Sequence, residues 1–234
     1  MRVIVTGASK GIGRGIATYL AMDGMTVGLL ARSRDLLEDL AQGIRDQDGA
    51  CETEACDLRD IHGAASAIDS LAEKLGGIDA LVNNAGLVIR KNVFDLSPEE
   101  WHAMIDTNVN GVFYATRAAL PHLQRNGGGH IINISSISGK LPLPGGSGYA
   151  ASKYAVTGFS LSLFQELRDH NITVSTIYPG SVDSESHRHG GQDDASWKVA
   201  PEDVGKVCRD ILTAAPGTAI SELEIRPLRR PPKS

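Results

Sequence analysis

The chain has few cysteines, few aromatic residues and no long apolar run. Its 234 residues include only Cys51, Cys56 and Cys208 as cysteines, and 5% of them are aromatic. An odd cysteine count without paired spacing argues against a disulfide framework or a cysteine metal site, so we expect no metal and a reducing compartment. No apolar run reaches the roughly 18 residues that span a bilayer. A strand-like run begins at Arg2 and leaves no room for a signal peptide, so we predict a cytoplasmic protein.

The chain also lacks an excess of positive charge. Lys and Arg number 23 against 28 Asp and Glu, which gives a net charge of −5. Binding to nucleic acid or to an anionic membrane is therefore not expected. The one basic run, residues 226–233, is interrupted by three prolines and is interpreted as a solvated tail. Glycine, in contrast, is abundant at 26 residues, which is typical of tight turns and close backbone approaches.

Strand-like and helix-like segments alternate along the whole chain. Short apolar runs predict strands at 2–6, 26–30, 51–56, 78–82, 130–134, 172–178 and 219–225. Helical patterns occupy 14–22, 36–47, 61–75, 98–123, 150–167 and 201–214. Because no linker or internal repeat interrupts this alternation, we predict an α/β fold with one doubly wound parallel sheet of about seven strands and helices on both faces.

The first strand leads into a glycine-rich turn and then into a helix. The turn contains Gly7, Gly11 and Gly13 in the spacing G-x-x-x-G-x-G. Gly7 permits the tight turn, Gly11 lets the backbone approach a pyrophosphate, and Gly13 lets the helix pack closely on the strand. The helix N-terminus offers N–H groups and a positive dipole end to a phosphate. This context predicts a dinucleotide site.

The end of the second strand indicates which dinucleotide binds. An acidic residue there would hold the ribose 2′-hydroxyl of NAD and repel a 2′-phosphate. Ala31 stands in that place and Arg32 follows it, and a guanidinium can clamp a phosphate. Lys10, inside the glycine turn, adds a second cation. We therefore predict NADP(H), with an ordinary loop charge as the alternative for Arg32.

Polar residues also follow the third and fourth strands. Asp57 is placed to accept a hydrogen bond from the adenine amino group, with Leu58 against the ring face. Asp57 could equally be the N-cap of the next helix, or serve both purposes. Asn83 and Asn84 end the fourth strand, at the rim where ligands bind in open α/β sheets.

The helical pattern that starts at Pro98 has an unusual interior. Ser97 and Glu100 predict a capping box at its start, with Pro98 at the first helical position. Asn108 lies inside the pattern, and Gly111 follows three residues later. This pair predicts a kink or a buried polar site. An exposed asparagine is the alternative.

A tyrosine and a lysine stand four residues apart where a helix begins. Tyr149 and Lys153 therefore share one helix face. An ammonium beside a phenol favours the phenolate, so we expect the pKa of Tyr149 to fall towards the working pH. A phenol of this kind can give up or take a proton in a transition state. Ser136, at the end of the preceding strand, could hold a substrate oxygen beside it. Each signal alone also fits ordinary surface or turn chemistry.

Taken together, these motifs resemble the short-chain dehydrogenase/reductase family, in its NADP(H)-preferring branch. The family's order and spacing are matched over about residues 2–226 by Thr6-Gly7-x-x-x-Gly11-x-Gly13, Asn83-Asn84-Ala85-Gly86, Asn108, Ser136, Tyr149-x-x-x-Lys153 and Pro179-Gly180. The resemblance implies a single Rossmann-type domain over 1–234. Within it we expect a cofactor half at about 1–130, a catalytic and substrate half at about 131–226, and a tail at 227–234.

The resemblance also implies a role for each catalytic residue. Tyr149 would be the general acid in carbonyl reduction and the general base in alcohol oxidation. Lys153 would lower the pKa of Tyr149 and hold the nicotinamide ribose, Ser136 would polarise the carbonyl, and Asn108 would hold a proton-relaying water. Ser184 stands in place of the family's threonine after Pro-Gly. The expected cofactor contacts are Gly7, Ser9, Lys10, Gly11, Ile12, Gly13, Arg32, Asp57, Leu58, Asn84, Ala85, Gly86, Tyr149, Lys153, Pro179, Gly180, Val182 and Ser184.

The expected reaction is NADP(H)-dependent reduction of a carbonyl, in a ketone, an aldehyde, a 3-oxoacyl compound or a keto acid, to an alcohol. One alternative is NADP⁺-dependent oxidation of a small hydroxy acid or sugar alcohol. Residues 222–227, Glu-Leu-Glu-Ile-Arg-Pro, replace the family's Asp-Gly-Gly and resemble a branch that acts on small hydroxy acids and carbonyls. A non-catalytic NADP(H)-binding regulator is a second alternative, against which the complete catalytic set argues.

Two further expectations concern partners. Family members commonly form homotetramers through the helices that hold Asn108 and Tyr149, so we expect a dimer or a tetramer. The run His187-Arg188-His189 lies in a polar segment and is interpreted as a solvated loop. If that loop closes on the substrate, Arg188 is a candidate for binding a substrate carboxylate.

Overall fold

One parallel sheet of seven strands passes through the part of the protein that the computed structural model describes, residues 1–141, 144–184 and 195–229. The strand order is β3-β2-β1-β4-β5-β6-β7, which confirms the predicted doubly wound sheet. The strands are β1 (Arg2–Thr6), β2 (Thr26–Ala31), β3 (Ala50–Ala55), β4 (Ala80–Asn83), β5 (Gly129–Ile134), β6 (Ile172–Pro179) and β7 (Glu222–Ile225).

Helices cover both faces of this sheet. They are α1 (Gly11–Met22), α2 (Arg34–Arg45), α3 (Ile61–Leu75), α4 (Pro98–Ile105), α5 (Gly111–Arg125), α6 (Ser147–Leu167) and α7 (Pro201–Leu212). Alternate residues of β1 face opposite sides, with Val3 and Val5 packed against α1, α2 and α7 and Ile4 packed against α3, α5 and α6. Two apolar layers therefore hold the sheet between them, as is typical of a parallel sheet.

Several elements begin or end away from the predicted residues. Helix α1 starts at Gly11 rather than at residue 14, and α6 starts at Ser147 rather than at 150. Strand β7 starts at Glu222 rather than at 219. The apolar pattern marks the part of an element that packs on the core, whereas the first turn of a helix is set by backbone hydrogen bonds. As a consequence, Tyr149 lies inside the first turn of α6.

The predicted kink at Asn108 is a π-helical turn, Asp106–Asn110, between α4 and α5. The Asn108 side chain is fully buried, so the alternative of an exposed asparagine is wrong. The predicted capping box at the start of α4 is confirmed, because Ser97 Oγ accepts from Glu100 N at 3.2 Å and Glu100 Oε2 accepts from Ser97 N at 3.0 Å. A π-turn inside a helix is often found at a functional site.

The strand order reverses between β1 and β4, and this reversal opens a crevice at the carboxyl ends of the strands. The glycine turn lies at this crevice. A Cβ on Gly13 would overlap the carbonyl oxygen of Gly7 and lie 2.8 Å from its carbonyl carbon. Gly13 therefore permits α1 to pack directly against the end of β1.

The helices in the described ranges are too short or too polar to cross a lipid bilayer.

We predict that Gly13→Ala lowers the free energy of unfolding by about 2 kcal/mol, because the added methyl group forces α1 away from the turn. Gly43→Ala is the matched control. Gly43 lies in α2, and a Cβ there would meet nothing within 4 Å, so alanine should stabilise the protein by about 0.5–1 kcal/mol. Urea unfolding of the three proteins measures both effects. Equal stability of Gly13→Ala and wild type would contradict the close packing.

Candidate active site

A cavity of about 610 Å³ occupies the crevice at the carboxyl ends of the strands. Its volume is in the range of cofactor and substrate sites. Its wall brings together most of the residues that the sequence predicts for the site. The predicted residues that line it are Gly7, Ser9, Lys10, Gly11, Ile12, Arg32, Asp57, Leu58, Asn84, Ala85, Gly86, Ser136, Tyr149, Lys153, Pro179, Gly180, Val182 and Ser184. Gly13 and Asn108 lie behind the wall.

Tyr149 presents a buried phenol to the cavity, since 8% of the residue is exposed. This burial raises the pKa of Tyr149 above its ordinary value, because the phenolate loses hydration. A hydrogen bond with Ser136 and the positive charge of Arg90 act in the opposite direction but are weaker. The prediction that the Tyr149 pKa falls is therefore wrong for the protein in this structure.

Lys153 does not lower the phenol pKa here because its ammonium is directed elsewhere. Its Nζ donates a hydrogen bond to the carbonyl oxygen of Ile134 at 2.9 Å and lies 6.0 Å from the centroid of the Tyr149 ring. Lys153 is itself 5% exposed, and burial lowers its pKa to about 8. Both groups are thus held in low dielectric, where each charged form is disfavoured.

Ser136 is held by a short 3₁₀ turn, Ile137–Gly139, which follows β5. Its Oγ accepts a hydrogen bond from the backbone N–H of Ser138 at 3.1 Å. The turn is tied to α6, because Thr157 Oγ1 donates to the Gly139 carbonyl at 3.3 Å. Ser135 Oγ likewise donates to the Lys153 carbonyl at 3.1 Å. These contacts fix the position of Ser136 relative to α6, the helix that carries Tyr149 and Lys153.

Asn108 joins three parts of the site from behind the cavity wall. Its Oδ1 accepts from Leu87 N at 2.7 Å, and its Nδ2 donates to the Leu87 carbonyl and to Ser152 Oγ, each at 2.9 Å. A Cβ on Gly86 would lie 3.4 Å from Asn108 Oδ1 and 3.7 Å from Lys153 Nζ. The π-turn thus positions the loop after β4 and α6 relative to each other. The role of Asn108 in holding a water stays a prediction.

Asn83, the last residue of β4, and Asn84, which follows it, have different surroundings. Asn84 lies in the cavity wall, where its Nδ2 donates to the Thr6 carbonyl at 3.0 Å. Asn83 is buried in the core, where its Nδ2 donates to Thr116 Oγ1 at 2.9 Å and to Asn133 Oδ1 at 2.8 Å. The interpretation of Asn83 as a rim residue is therefore wrong. Successive side chains of a strand point to opposite faces, so adjacent residues cannot both reach the same side.

The predicted adenine end of the cavity contains an ion pair. Arg59 Nη2 lies 2.6 Å from Asp57 Oδ2, and Arg59 Nε donates to the same oxygen at 3.0 Å. The pKa of Asp57 is lowered, mainly by its hydrogen bonds with Arg59 and further by the charge of Arg32. The N-cap of α3 is Asp60, whose Oδ1 accepts from His62 N at 3.0 Å. The alternative reading of Asp57 as that cap is therefore wrong.

Two arginines of the cavity wall, Arg59 and Arg90, are not predicted from the sequence. Arg59 follows Asp57 by two residues, which is the spacing of an Asx turn and could have revealed it. Arg90 lies in the irregular stretch after β4, and nothing in its local sequence identifies it. The predicted carboxylate candidate Arg188, with His187 and His189, lies outside the described residues.

The cavity wall fits a phosphate-bearing dinucleotide. A Cβ on Gly7 would lie 2.7 Å from Ala85 Cα, so the glycine turn closes tightly on the loop after β4. Helix α1 begins at Gly11 without a side-chain cap, which leaves its first N–H groups for an anion. The charged side chains of the described wall are five cations and one carboxylate: Lys10, Arg32, Arg59, Arg90, Lys153 and Asp57.

Comparisons with known proteins agree with this geometry. A family model described as short chain dehydrogenase matches residues 1–195. The chain is 35% identical over 230 residues to an uncharacterized oxidoreductase of Staphylococcus saprophyticus, with 96% of each chain covered. It is similar to the alcohol dehydrogenase of Thermococcus sibiricus complexed with 5-hydroxy-NADP, with a TM-score of 0.90, 28% identity, and 100% and 99% of the two chains covered. It is also similar to the closed form of a serine dehydrogenase complexed with NADP⁺, with a TM-score of 0.88, 34% identity, and 97% and 95% covered.

We predict that Lys153→Met makes the protein more stable at pH 7 than the wild type. Below pH 8 the buried amine is protonated in both states, and its charge destabilises the folded state. Between pH 8 and the ordinary value of 10.5 the folded amine loses its proton first, so wild-type stability rises with pH across that window. The stability advantage of the variant should therefore shrink by about 2 kcal/mol between pH 7 and pH 10.

Urea unfolding at the two pH values measures this difference. Lys206→Met is the control for the loss of a lysine, since Lys206 is exposed on α7 and burial does not act on its ammonium. A Lys153→Met advantage that is the same at pH 7 and pH 10 would show that burial does not disfavour the ammonium.

Proposed function

The chain belongs to the short-chain dehydrogenase family, and on that premise we propose that this oxidoreductase reduces the carbonyl of a ketone or an aldehyde to an alcohol with NADPH. The observation that carries the proposal is that hydrogen bonds fix Ser136 relative to the helix that carries Tyr149 and Lys153. These three side chains line the cavity whose glycine turn and cations suit a dinucleotide.

The proposed cofactor is NADP(H). Lys10 and Arg32 lie in the cavity wall, and a guanidinium suits the 2′-phosphate that distinguishes this cofactor from NAD(H). The Thermococcus sibiricus and serine dehydrogenase structures carry a derivative of NADP and NADP⁺. The first turn of α1 would hold the pyrophosphate, and Asp57 and Leu58 would hold the adenine.

The bound nicotinamide supplies the hydride, and the protein supplies the proton. The hydroxyl of Ser136 lies close enough to the phenol of Tyr149 to lower the phenol pKa, so a substrate oxygen between them can accept from both. Tyr149 Oη then gives its proton to that oxygen as the alcohol forms. The raised pKa of Tyr149 favours the protonated phenol, which is the form that carbonyl reduction requires.

A second candidate is the oxidation of a small hydroxy acid with NADP⁺, or the reverse reduction of a keto acid. Arg90 favours this reaction because its positive charge lies close enough to Tyr149 to lower the phenol pKa. A guanidinium there can bind a carboxylate a few atoms away from the reacting carbon. The similarity to a serine dehydrogenase supports the same substrate class.

We further propose that the protein is a homo-oligomer, a dimer or a tetramer. Phe113 on α5 is 42% exposed, and Tyr154 and Leu161 on α6 are 44% and 49% exposed. Phe113 also contacts Phe159 in an edge-to-face pair, with 6.3 Å between ring centroids. Exposed apolar side chains on neighbouring helices are typical of a subunit interface.

The same proposal assigns residues 1–130 to the cofactor and 131–226 to catalysis and substrate, because the glycine turn precedes the division and Ser136, Tyr149 and Lys153 follow it. It places the enzyme in the cytoplasm. Cys51, Cys56 and Cys208 are all free thiols, a state that a reducing compartment maintains.

We predict that Tyr149→Phe lowers kcat by about 10³-fold and leaves the Kd for NADPH nearly unchanged, because it removes only the proton donor. Tyr154→Phe is the matched control. It removes a phenol from the same helix, one that donates to the Lys140 carbonyl at 2.5 Å outside the reaction centre, so kcat should stay within a factor of two. Both variants are assayed with NADPH against a ketone, an aldehyde, a keto acid and its methyl ester.

The same panel is then run with NADP⁺ against a hydroxy acid and a sugar alcohol. Faster turnover of the acids than of the ester and the neutral carbonyls would favour the second candidate reaction. Equal kcat in Tyr149→Phe and wild type would refute the mechanism. NADPH binding without turnover of any compound would favour a cofactor-binding regulator instead.

We predict that the double variant Phe113→Glu with Leu161→Glu dissociates to a smaller species, a monomer from a dimer or a dimer from a tetramer, since two carboxylates per subunit would be desolvated in the interface. Light scattering after gel filtration measures the molar mass. Ile61→Glu is the control, because Ile61 is equally exposed at 42% but lies at the start of α3. A double variant with the molar mass of the wild type would exclude this face as the interface.

A further inference from the structure

We propose that Arg59 determines the preference for NADP(H) over NAD(H), and that it acts through Asp57. The inference rests on the proposed function, in which this cavity binds NADP(H). The carboxylate of Asp57 can accept a hydrogen bond from the adenine amino group, but its negative charge would repel a nearby phosphate. Arg59 removes this repulsion because its guanidinium neutralises the carboxylate.

The geometry commits Arg59 to one partner. Its backbone N–H and its Nε both donate to Asp57 Oδ1, at 3.0 and 3.1 Å, while Nε and Nη2 contact Oδ2 at 3.0 and 2.6 Å. The contact between Nη2 and Oδ2 has the short length of a charge-assisted hydrogen bond. The Asp57 carboxylate accepts from both the backbone N–H and the guanidinium of Arg59, so the two residues form one unit.

The position of this unit in the cavity gives it a role in selectivity. Asp57 is the one carboxylate in the described cavity wall. Arg32, the residue placed to bind a 2′-phosphate, is close enough to lower the Asp57 pKa. A phosphate held by Arg32 is therefore within electrostatic range of Asp57. An unpaired Asp57 would repel that phosphate and would leave a ribose 2′-hydroxyl almost unaffected.

Arg59 contributes little to the stability of the fold. The next helix, α3, is capped by Asp60, whose side chain accepts from His62 N. The Asp57–Arg59 pair is partly exposed, at 36% and 46% of the two side chains, and exposed ion pairs contribute little to stability. Loss of Arg59 should therefore change the charge at the cavity end and leave the fold intact.

The test is the ratio of the Kd for NADH to the Kd for NADPH, measured by titrating cofactor fluorescence without any substrate. Arg59→Gln should lower this ratio about fivefold, through weaker binding of NADPH. Arg59→Lys keeps the charge and should stay within twofold of wild type. In the double variant Asp57→Asn with Arg59→Gln, the ratio should return to within twofold of wild type, because no carboxylate remains to be neutralised.

Arg34→Gln is the matched control. Arg34 is the first residue of α2, two residues after Arg32, and its charge lowers the pKa of Glu54 and not that of Asp57. The same loss of one charge there should change the ratio less than twofold. An effect as large as that of Arg59→Gln would mean that the net charge of this surface, and not the pair, sets the selectivity, which would overturn the inference.

Three further outcomes are decisive. An unchanged ratio in Arg59→Gln would overturn the inference. A ratio that stays low in the double variant would also overturn it, since Arg59 would then act on the phosphate without Asp57. Failure of the wild type to bind either cofactor would instead refute the proposed function, so the two failures are distinguishable.

Discussion

The burial of one ammonium group is the constraint on which the site depends. Lys153 lies on a helix that packs against the sheet, and the carbonyl oxygen of Ile134 holds its Nζ at the end of β5. Desolvation brings its pKa down to about 8. A group in this state destabilises the folded protein at neutral pH, and such a cost is typical of functional sites. The surrounding packing of α5, α6 and β5 has to be rigid enough to keep the amine in place.

Polar contacts between different helices and loops hold the side chains of the site in place. Asn108 joins the π-turn to Leu87 and to Ser152 of α6, and Thr157 fastens the turn that holds Ser136. Each buried polar group in this set has a partner, so the network orders the side chains instead of weakening the core. These contacts fix the hydroxyl of Ser136 and the phenol of Tyr149 relative to α6.

Charge is distributed unevenly between the molecule and its cavity. The whole chain carries a net charge of −5, whereas the described cavity wall contains five cations and one carboxylate. The positive cavity attracts anions, whereas the net negative charge of the whole chain favours solubility. Lys10 and Arg32 suit the phosphates of a dinucleotide, Arg59 neutralises Asp57, and Arg90 adds a positive charge on the side of Tyr149.

The sequence by itself determined the sheet, the glycine turn, the capping box at Ser97 and the presence of a kink at Asn108. These features depend on local pattern and on residue types whose backbone preferences are strong. It also determined most of the residues that line the cavity, because the carboxyl ends of parallel strands share one edge. Only the tertiary structure decided that the pKa of Tyr149 rises, that Asn83 faces the core, and that Arg90 lies in the cavity wall. Desolvation and the direction of a side chain depend on neighbours that are distant in sequence, and local pattern carries no information about them.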